Sequence, residues 1–99
     1  MKTFRLSPEA ALDITEIWDF IAEDNPEAAE RVRVDILHAI RELVKMPVKG
    51  HQREDLTDQD VLFWTVRNYH IVYRPDKKPL EVVGVLHGAL NIPTILKNR

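Results

Sequence analysis

The chain has no cysteine among its 99 residues, so disulfide bonds, thiolate metal sites and a cysteine nucleophile are all excluded. No stretch approaches the roughly 18 consecutive apolar residues of a membrane-spanning helix, and the first five residues lack the apolar run of a signal peptide. Ser7 is the single serine, and no G-x-S-x-G elbow, phosphate loop or G-x-G-x-x-G run occurs. These absences remove the common hydrolase and nucleotide-binding classes and predict a cytoplasmic protein with no membrane partner.

A strong positive charge is missing as well. The net charge is −2, with six basic and ten acidic side chains in residues 1–45 and eight basic and six acidic ones in residues 46–99. Proteins that hold nucleic acid through its phosphates usually carry a clear basic excess on one face. We therefore expect no direct nucleic-acid partner, although a local basic patch in the C-terminal half stays compatible with these numbers.

The composition, 44% apolar and 30% charged, is typical of a globular protein, and the length predicts a single domain over residues 1–99. The four histidines are scattered, and no two of them have the close spacing of a zinc site. We expect neither a metal nor a cofactor. These histidines are His38, His51, His70 and His87.

Proline marks where the helices and strands start and stop. Ser7-Pro8 and Asn25-Pro26 each combine an N-cap residue with a proline at the first helical position, which predicts two consecutive helices and an antiparallel helical hairpin. Short turns after the long polar loop at 47–60 predict an antiparallel meander. The resulting class is α+β in β-α-α-β-β-β order, an N-terminal strand and a helical hairpin on a small antiparallel sheet. The last three strands are expected at 61–67, 69–74 and 80–87, with a turn of helix near 94–98.

Large aromatic rings are numerous for so short a chain. Trp18 and Phe20 lie about 200° apart on a helical wheel, and Phe63 and Trp64 point to opposite faces of a strand. At least one ring of each pair must therefore be exposed or covered by something else, which favours a macromolecular interface. We assign Trp18, Phe20 and Trp64 to the binding of a partner protein.

The first helix carries acidic residues without a basic one. Glu9, Asp13, Glu16 and Glu23 fall along one side of it, which is either a solvated face or a surface for a basic partner segment. Exposed helical carboxylates have nothing to raise their pKa, so acid–base catalysis by this set is not expected, and no catalytic residue is assigned.

The strand Tyr69–Arg74 alternates two faces. Tyr73 is expected in the core with its hydroxyl at the edge, while His70 and Arg74 point the other way. Arg74 is either an ordinary charged strand end or a group that meets an acidic or phosphate group.

Three segments in this order resemble the RelE/ParE superfamily of bacterial toxins: LSPEAALDITEIWDFIAEDNPEAA at 6–29, NYHIVYR at 68–74 and VVGVLHGALNIPTIL at 82–96. Within this superfamily the sequence resembles the ParE branch more closely, which is known from plasmid stabilisation. The resemblance implies a toxin with a cognate antitoxin that wraps its apolar grooves and forms an oligomer with it, so Trp18, Phe20 and Trp64 are the expected antitoxin-binding residues. RelE-like toxins cut messenger RNA on the ribosome, whereas ParE-like toxins block DNA gyrase.

The sequence departs from the RNA-cleaving pattern at three places. His70 stands where RelE-like toxins carry a catalytic arginine, Ala89 and Leu90 replace an arginine that many relatives have after His87-Gly88, and no tyrosine follows in the tail. A gyrase-binding toxin is the preferred function, with His70, Arg74 and His87 as target-binding residues. The alternatives are a ribosome-dependent RNase and a non-toxic interaction module on the same fold.

Overall fold

A computed structural model describes residues 4–99, so the first three residues of the expected domain lie outside the described part. The elements follow the predicted order, with two long helices between a short first strand and a three-stranded meander. Their bounds are β1 Phe4–Leu6, α1 Pro8–Ala22, α2 Pro26–Lys45, a 3₁₀ turn Pro47–Lys49, β2 Leu62–Val66, β3 Tyr69–Arg74, β4 Leu80–His87 and α3 Ile92–Lys97.

The two long helices begin where the sequence predicts. The Ser7 hydroxyl accepts a hydrogen bond from the amide of Ala10 at 3.1 Å, and the Asn25 side chain accepts one from Ala28 at 3.1 Å. Each bond satisfies one of the amides that a helix start leaves without a backbone partner, and each helix has proline at its first position. Only residues 23–25 connect the two helices, and so short a connection makes α1 and α2 an antiparallel pair.

The four strands form one sheet in the order β1-β4-β3-β2. The α+β class is confirmed, and β2, β3 and β4 are antiparallel as predicted. The first strand differs, because β1 pairs with β4 in parallel, from Phe4 opposite Leu80 to Leu6 opposite Val82. The helical hairpin carries the chain from one edge of the sheet to the other, and the meander then returns it beside β1 in the same direction.

Both faces of the sheet are covered. The helical hairpin packs on one face, around buried residues that include Ile14, Ile36 and Ile71. The other face carries a second apolar cluster in which Ile92 and Leu96 of α3 pack against Phe63, Val72 and Leu86 of the sheet. This second cluster explains why β3 and β4 are buried on both sides and read as nearly continuous apolar runs.

Tyr73 anchors the start of the long loop. Its side chain is fully buried, and its hydroxyl donates to the carbonyl of Pro47 at 2.6 Å and accepts from the amide of Gly50 at 2.9 Å. These two bonds hold the 3₁₀ turn against β3, which agrees with the expected core position and edge-lying hydroxyl.

Strand β4 contains a bulge at the point where its pairing with β1 ends. Val72 pairs with Gly84 and Tyr73 with Val82, so Val83 is one residue extra on β4. Pairing with β1 stops at Val82, and from Val83 to His87 β4 has a neighbouring strand only on the β3 side. We call the segment Val83–His87 the β4 edge.

Candidate functional site

An open cavity lies where α1 passes the end of the sheet. It has a volume of about 320 Å³ and is lined by Glu16, Ile17, Phe20, Tyr69 and His87, and we call it the α1–β4 groove. Phe20 stands at its mouth with 76% of its surface exposed. Ile17 and Tyr69 are partly buried and join the groove to the core beneath α1. The groove therefore presents a bare aromatic ring on a firmly packed base.

Two aromatic rings form the floor of the groove. The rings of Tyr69 and His87 meet edge to face, with centroids 5.4 Å apart and planes at 87°. The amide of Ala89 donates to Nδ1 of His87 at 3.0 Å. Because Nδ1 accepts this bond, Nε2 carries the proton in the neutral ring and is the atom that can donate to a partner.

The acidic side of α1 runs from the groove along the β4 edge. Asp13 accepts from the amide of Val85 at 3.0 Å and forms a two-point ion pair with Arg99, whose second contact, Nη2 to Oδ1, is 3.0 Å. The hydrogen bond to Asp13 raises the pKa of Arg99, burial opposes this, and the charges of Glu9 and Glu16 add to the increase. One guanidinium thus faces three carboxylates, and this side of the molecule stays negative.

The three rings assigned to partner binding do not form one surface. Phe20 faces the groove, whereas Trp18 lies on the opposite flank of α1 and is half-buried. Trp64 is also half-buried, with Lys49 Nζ 4.4 Å from its ring centroid and His51 stacked at 6.1 Å. The chain itself covers Trp64, and Phe63 is buried in the second cluster. Phe20 is the ring of this set that is open to a partner.

His70 is held in place by its neighbours. Its Nδ1 lies 3.1 Å from Oγ1 of Thr65, and its ring meets Phe63 edge to face at 6.2 Å. Burial lowers the pKa of His70, and the positive charge of Arg53 lowers it further. The neutral imidazole is therefore favoured in the folded protein.

Arg74 is engaged in a charged row across three strands. Its Nε lies 3.5 Å from Glu81, and the same carboxylate accepts a 2.8 Å hydrogen bond from Arg5 on β1. Arg74 does meet an acidic group, but an internal one. It also lies four residues from His70 along β3, about 13 Å away, whereas His87 is opposite Tyr69 at the other end of that strand. Arg74 is thus separate from the end of the sheet that carries both histidines.

Sequence reasoning missed two members of the site, Tyr69 and Arg99. The position of Tyr69 opposite His87 depends on the register of β3 and β4, which the local sequence does not determine. The signal for Arg99 was the acidic helix itself, which required a cation from elsewhere in the chain.

Other site types are not represented in the part of the chain that the structure describes. Among residues 4–99 no group of three or more histidine, aspartate or glutamate side chains could hold a metal ion. No helix within that range is long and apolar enough to cross a membrane. A larger depression, of about 400 Å³, lies between the 56–59 loop and α3, away from the residues assigned to binding.

Comparison with known proteins identifies the family. A model of the ParE toxin of the type II toxin–antitoxin system, parDE, matches residues 4–91. A solved chain described as the chromosomal ParDE TA system from P. aeruginosa is similar in fold, with a TM-score of 0.71 and 20% identity over 88% of this chain and 96% of that one. A search of curated proteins gave no match. Because the family model covers most of the sequence, the chain belongs to the ParE toxin family of type II toxin–antitoxin systems.

Proposed function

We propose that this toxin acts by binding DNA gyrase, and that a cognate antitoxin neutralises it by covering the same end of the molecule. One observation carries the proposal: Phe20 is 76% exposed at the mouth of a groove that also contains His87. An exposed ring above packed apolar side chains, with a polar group beside it, is typical of a binding hot spot. The residue assigned to the antitoxin and one assigned to the target adjoin here, so one partner would exclude the other.

The chemistry of the strand residues supports binding over RNA cleavage. Phosphodiester cleavage needs a proton donor, a proton acceptor and cations around one phosphate. His70 and Arg74 lie about 13 Å apart along β3, and Arg74 is already paired with Glu81. Such an arrangement suits separate surface contacts better than one reaction centre.

A supercoiling assay with purified gyrase tests the target. We expect the wild type to inhibit at micromolar concentration or below, and His87→Ala to weaken inhibition about 10-fold or more by removing a hot-spot donor. Arg74→Ala is expected to have a smaller effect, since part of its charge is neutralised by Glu81. Arg31→Ala, an exposed arginine on α2, is the matched control. Gyrase that keeps its full activity in the presence of both the folded wild type and the folded Leu90→Arg variant would refute this target.

Position 90 offers a second test if gyrase is unaffected. Leu90 is 49% exposed, and its backbone amide donates a hydrogen bond to the carbonyl of His87. Inhibition gained by Leu90→Arg would mean that the loss of this arginine silenced the toxin. Continued silence would favour another target.

Mapping of transcript ends in expressing cells separates this proposal from the RNase alternative. We expect no new cleavage sites with the wild-type protein. Codon-phased cuts that disappear in His70→Ala would move the protein to the RNA-cleaving branch, and His38→Ala is the control because His38 is exposed on α2.

A further inference from the structure

A second cavity lies at the opposite end of β4 from the α1–β4 groove. It has a volume of about 370 Å³ and opens between the end of α2 and the turn that joins β3 to β4. Prolines and aliphatic side chains give it an apolar lining, and we call it the proline cavity: Val44, Pro47, Pro75, Pro79 and Leu80. Leu80 and His87 are the first and last residues of β4, about 23 Å apart. The two cavities are therefore separate surfaces.

Exposed apolar side chains adjoin the proline cavity. Met46 and Val48 flank Pro47 in the chain, and Val48 is 79% exposed. Single exposed apolar residues are ordinary on a protein surface, whereas neighbouring ones beside an apolar cavity are typical of a binding surface.

The walls of the proline cavity are held in place by the chain itself. The carbonyl of Pro47 accepts from the hydroxyl of Tyr73, and the same hydroxyl accepts from the amide of Gly50. Each proline ring in the lining also fixes its own φ. A surface that is rigid before binding loses little conformational entropy when a partner arrives.

Lysine supplies the charge at the proline cavity. Lys77 and Lys78 line it and are exposed, and the ion pairs among residues 4–99 include neither of them. The surrounding segments, 42–49 and 75–80, carry four lysines against two acidic residues. This end of the molecule is therefore positive, although the net charge of the chain is −2.

The other two lysines of these segments already have contacts within the chain. Lys45 Nζ lies 3.2 Å from a carboxylate oxygen of Glu42, and Lys49 Nζ lies 4.4 Å from the ring centroid of Trp64. The charges that a partner can use without breaking such contacts are those of Lys77 and Lys78.

The combination of groups favours a protein partner over a nucleic acid. Phosphates are bound best by the planar fork of arginine and by a large basic excess. Here the local excess is two charges, and lysine carries it. A phosphate backbone also has no counterpart for Val48 and the apolar lining. A protein segment that combines carboxylates with an aliphatic side chain matches both features.

We infer that the proline cavity binds an acidic segment of the toxin's protein target, with an aliphatic side chain in the cavity and carboxylates against Lys77 and Lys78. This inference rests on the proposed function for the identity of the target and adds the chemistry of a second contact. The cavity lies about 23 Å from His87 along β4, so the two contacts contribute independently to target binding.

Amide chemical shifts of the isotope-labelled toxin test the cavity without gyrase. The probe is a short synthetic peptide with one leucine between pairs of aspartate and glutamate, and the control peptide has serine in place of leucine. The leucine peptide is expected to shift the amides of segments 44–49 and 76–81, and the serine peptide to bind at least 5-fold more weakly. Shifts confined to the α1–β4 groove, or none at millimolar peptide, would overturn the inference. A thymidine oligonucleotide of equal charge that binds the same segments as tightly would overturn it as well.

Binding to purified gyrase tests the same residues on the proposed target. Lys77→Glu is expected to slow association about 5- to 10-fold at low salt, and the difference should shrink at high salt. Val48→Ser is expected to speed dissociation about 5-fold or more, because it removes an apolar contact. Lys97→Glu on α3 and Val34→Ser on α2 are the matched controls, since both residues are exposed far along the chain from the cavity. The controls should stay within about 2-fold of the wild type, and unchanged thermal unfolding checks that each variant is folded.

A double variant tests whether the two contacts are independent. The losses of affinity in Lys77→Glu and His87→Ala should multiply, within about 2-fold, when the substitutions are combined. A combined loss no larger than that of either single variant would contradict two separate contacts.

The outcomes separate the two proposals. If gyrase binds the wild type but Lys77→Glu and Val48→Ser behave like their controls, the inference is wrong and the proposed function stands. If the leucine peptide binds the proline cavity and gyrase does not bind the toxin, the chemistry of the cavity stands and gyrase is the wrong target. If the toxin alone self-associates in sedimentation and Lys77→Glu abolishes this, the occupant is the acidic α1 of a second copy and the inference is wrong.

Discussion

Removing the hydroxyl of Tyr73 should destabilise the protein substantially although it deletes one atom. That oxygen makes two hydrogen bonds, to Pro47 at 2.6 Å and from Gly50 at 2.9 Å, and the ring around it is fully buried. Each bond contributes about 1 kcal/mol net, and a partner left unpaired in a partly buried place costs somewhat more. Tyr73→Phe is therefore expected to lower the free energy of unfolding by about 2–3 kcal/mol. For a domain of this size that corresponds to a fall in Tm of roughly 8–24 °C.

Urea and thermal unfolding measure this directly, and the urea m-value should stay unchanged if the native state keeps its compactness. Tyr69→Phe is the matched control. Tyr69 lies on the same strand and the same face, and the structure gives its hydroxyl no hydrogen bond to the described residues. We expect that control within about 0.5 kcal/mol of the wild type. A Tyr73→Phe protein equally close to the wild type would refute the assignment of the hydroxyl as an anchor.

The anchor can also be tested from its other side. A Cβ at position 50 would lie 2.5 Å from the Tyr73 hydroxyl oxygen and 2.9 Å from the carbonyl of Phe63. Gly50→Ala is therefore expected to cost about 1–3 kcal/mol through overpacking. Tyr73→Phe removes one of the clashing atoms. The double variant should therefore lose less stability than the sum of the losses of the two single variants.

The pH dependence of Tyr73 follows from its burial. Burial raises the pKa of its hydroxyl, and the hydrogen bond from Gly50 partly opposes this. The folded protein thus favours the protonated form, and the resulting stabilisation is present below the ordinary tyrosine pKa of about 10. It is lost as the pH rises through the folded value. The stability difference between wild type and Tyr73→Phe should therefore narrow above about pH 10.

Two further predictions concern stability. Because the pKa of His70 is lowered in the folded protein, its stabilising contribution is present above the ordinary histidine pKa of about 6.5 and is lost as the pH falls through the folded value. Between about pH 7 and 5, the free energy of unfolding measured in urea should therefore fall less for His70→Asn than for the wild type or the exposed control His38→Asn. An equal fall in all three proteins would contradict this. Asp13→Ala removes the carboxylate that accepts from the amide of Val85 and the guanidinium of Arg99, and it should lower the free energy of unfolding by about 2–4 kcal/mol. Asp13→Asn keeps an acceptor oxygen and should lower it less. Equal losses in the two variants would mean that the charge alone matters.

The parts of the fold that were predictable have local causes. The side chains of Ser7 and Asn25 cap their helices by accepting a hydrogen bond from the amide three residues later, and proline follows each of them. Such signals need no knowledge of the rest of the chain. In the hairpin turn between β2 and β3, Arg67 is the residue with positive φ, at 54°. Its guanidinium bonds to Asp35 on α2, a distant contact that helps to hold this turn.

The parts that were not predictable depend on long-range contacts. The parallel pairing of β1 is decided by where the meander ends, not by anything in Phe4–Leu6. The bulge at Val83 makes Val82 and Val85 share a face although three positions separate them, which breaks the alternation that sequence reasoning uses. The buried face beneath α3 was missed for the same reason.

The directions of the aromatic rings on α1 show what a helical wheel can predict and what it cannot. The apolar stripe of α1 passes through Ile14, Ile17 and Ile21, and Trp18 and Phe20 lie roughly 80° to either side of it. The wheel therefore separates the two rings but gives no reason to prefer one as the exposed ring. The choice is made by the hairpin and the sheet: Trp18 falls on the flank away from β4, while Phe20 falls beside His87 at the end of β4.

The acidic side of α1 illustrates the same limit for charge. The sequence left two interpretations open, a solvated face or a surface for a basic segment, because the helix contains no cation of its own. Arg99, 86 residues from Asp13, supplies one internally. Neither interpretation describes Asp13, whose carboxylate is paired within the chain. Asp13 forms an ion pair with Arg99 in the chain's own C-terminal segment. Glu16, one turn farther along α1 and beside Phe20, keeps its carboxylate exposed. A basic partner would be recognised at Glu16, and substitutions there should change binding without the loss of stability expected at Asp13.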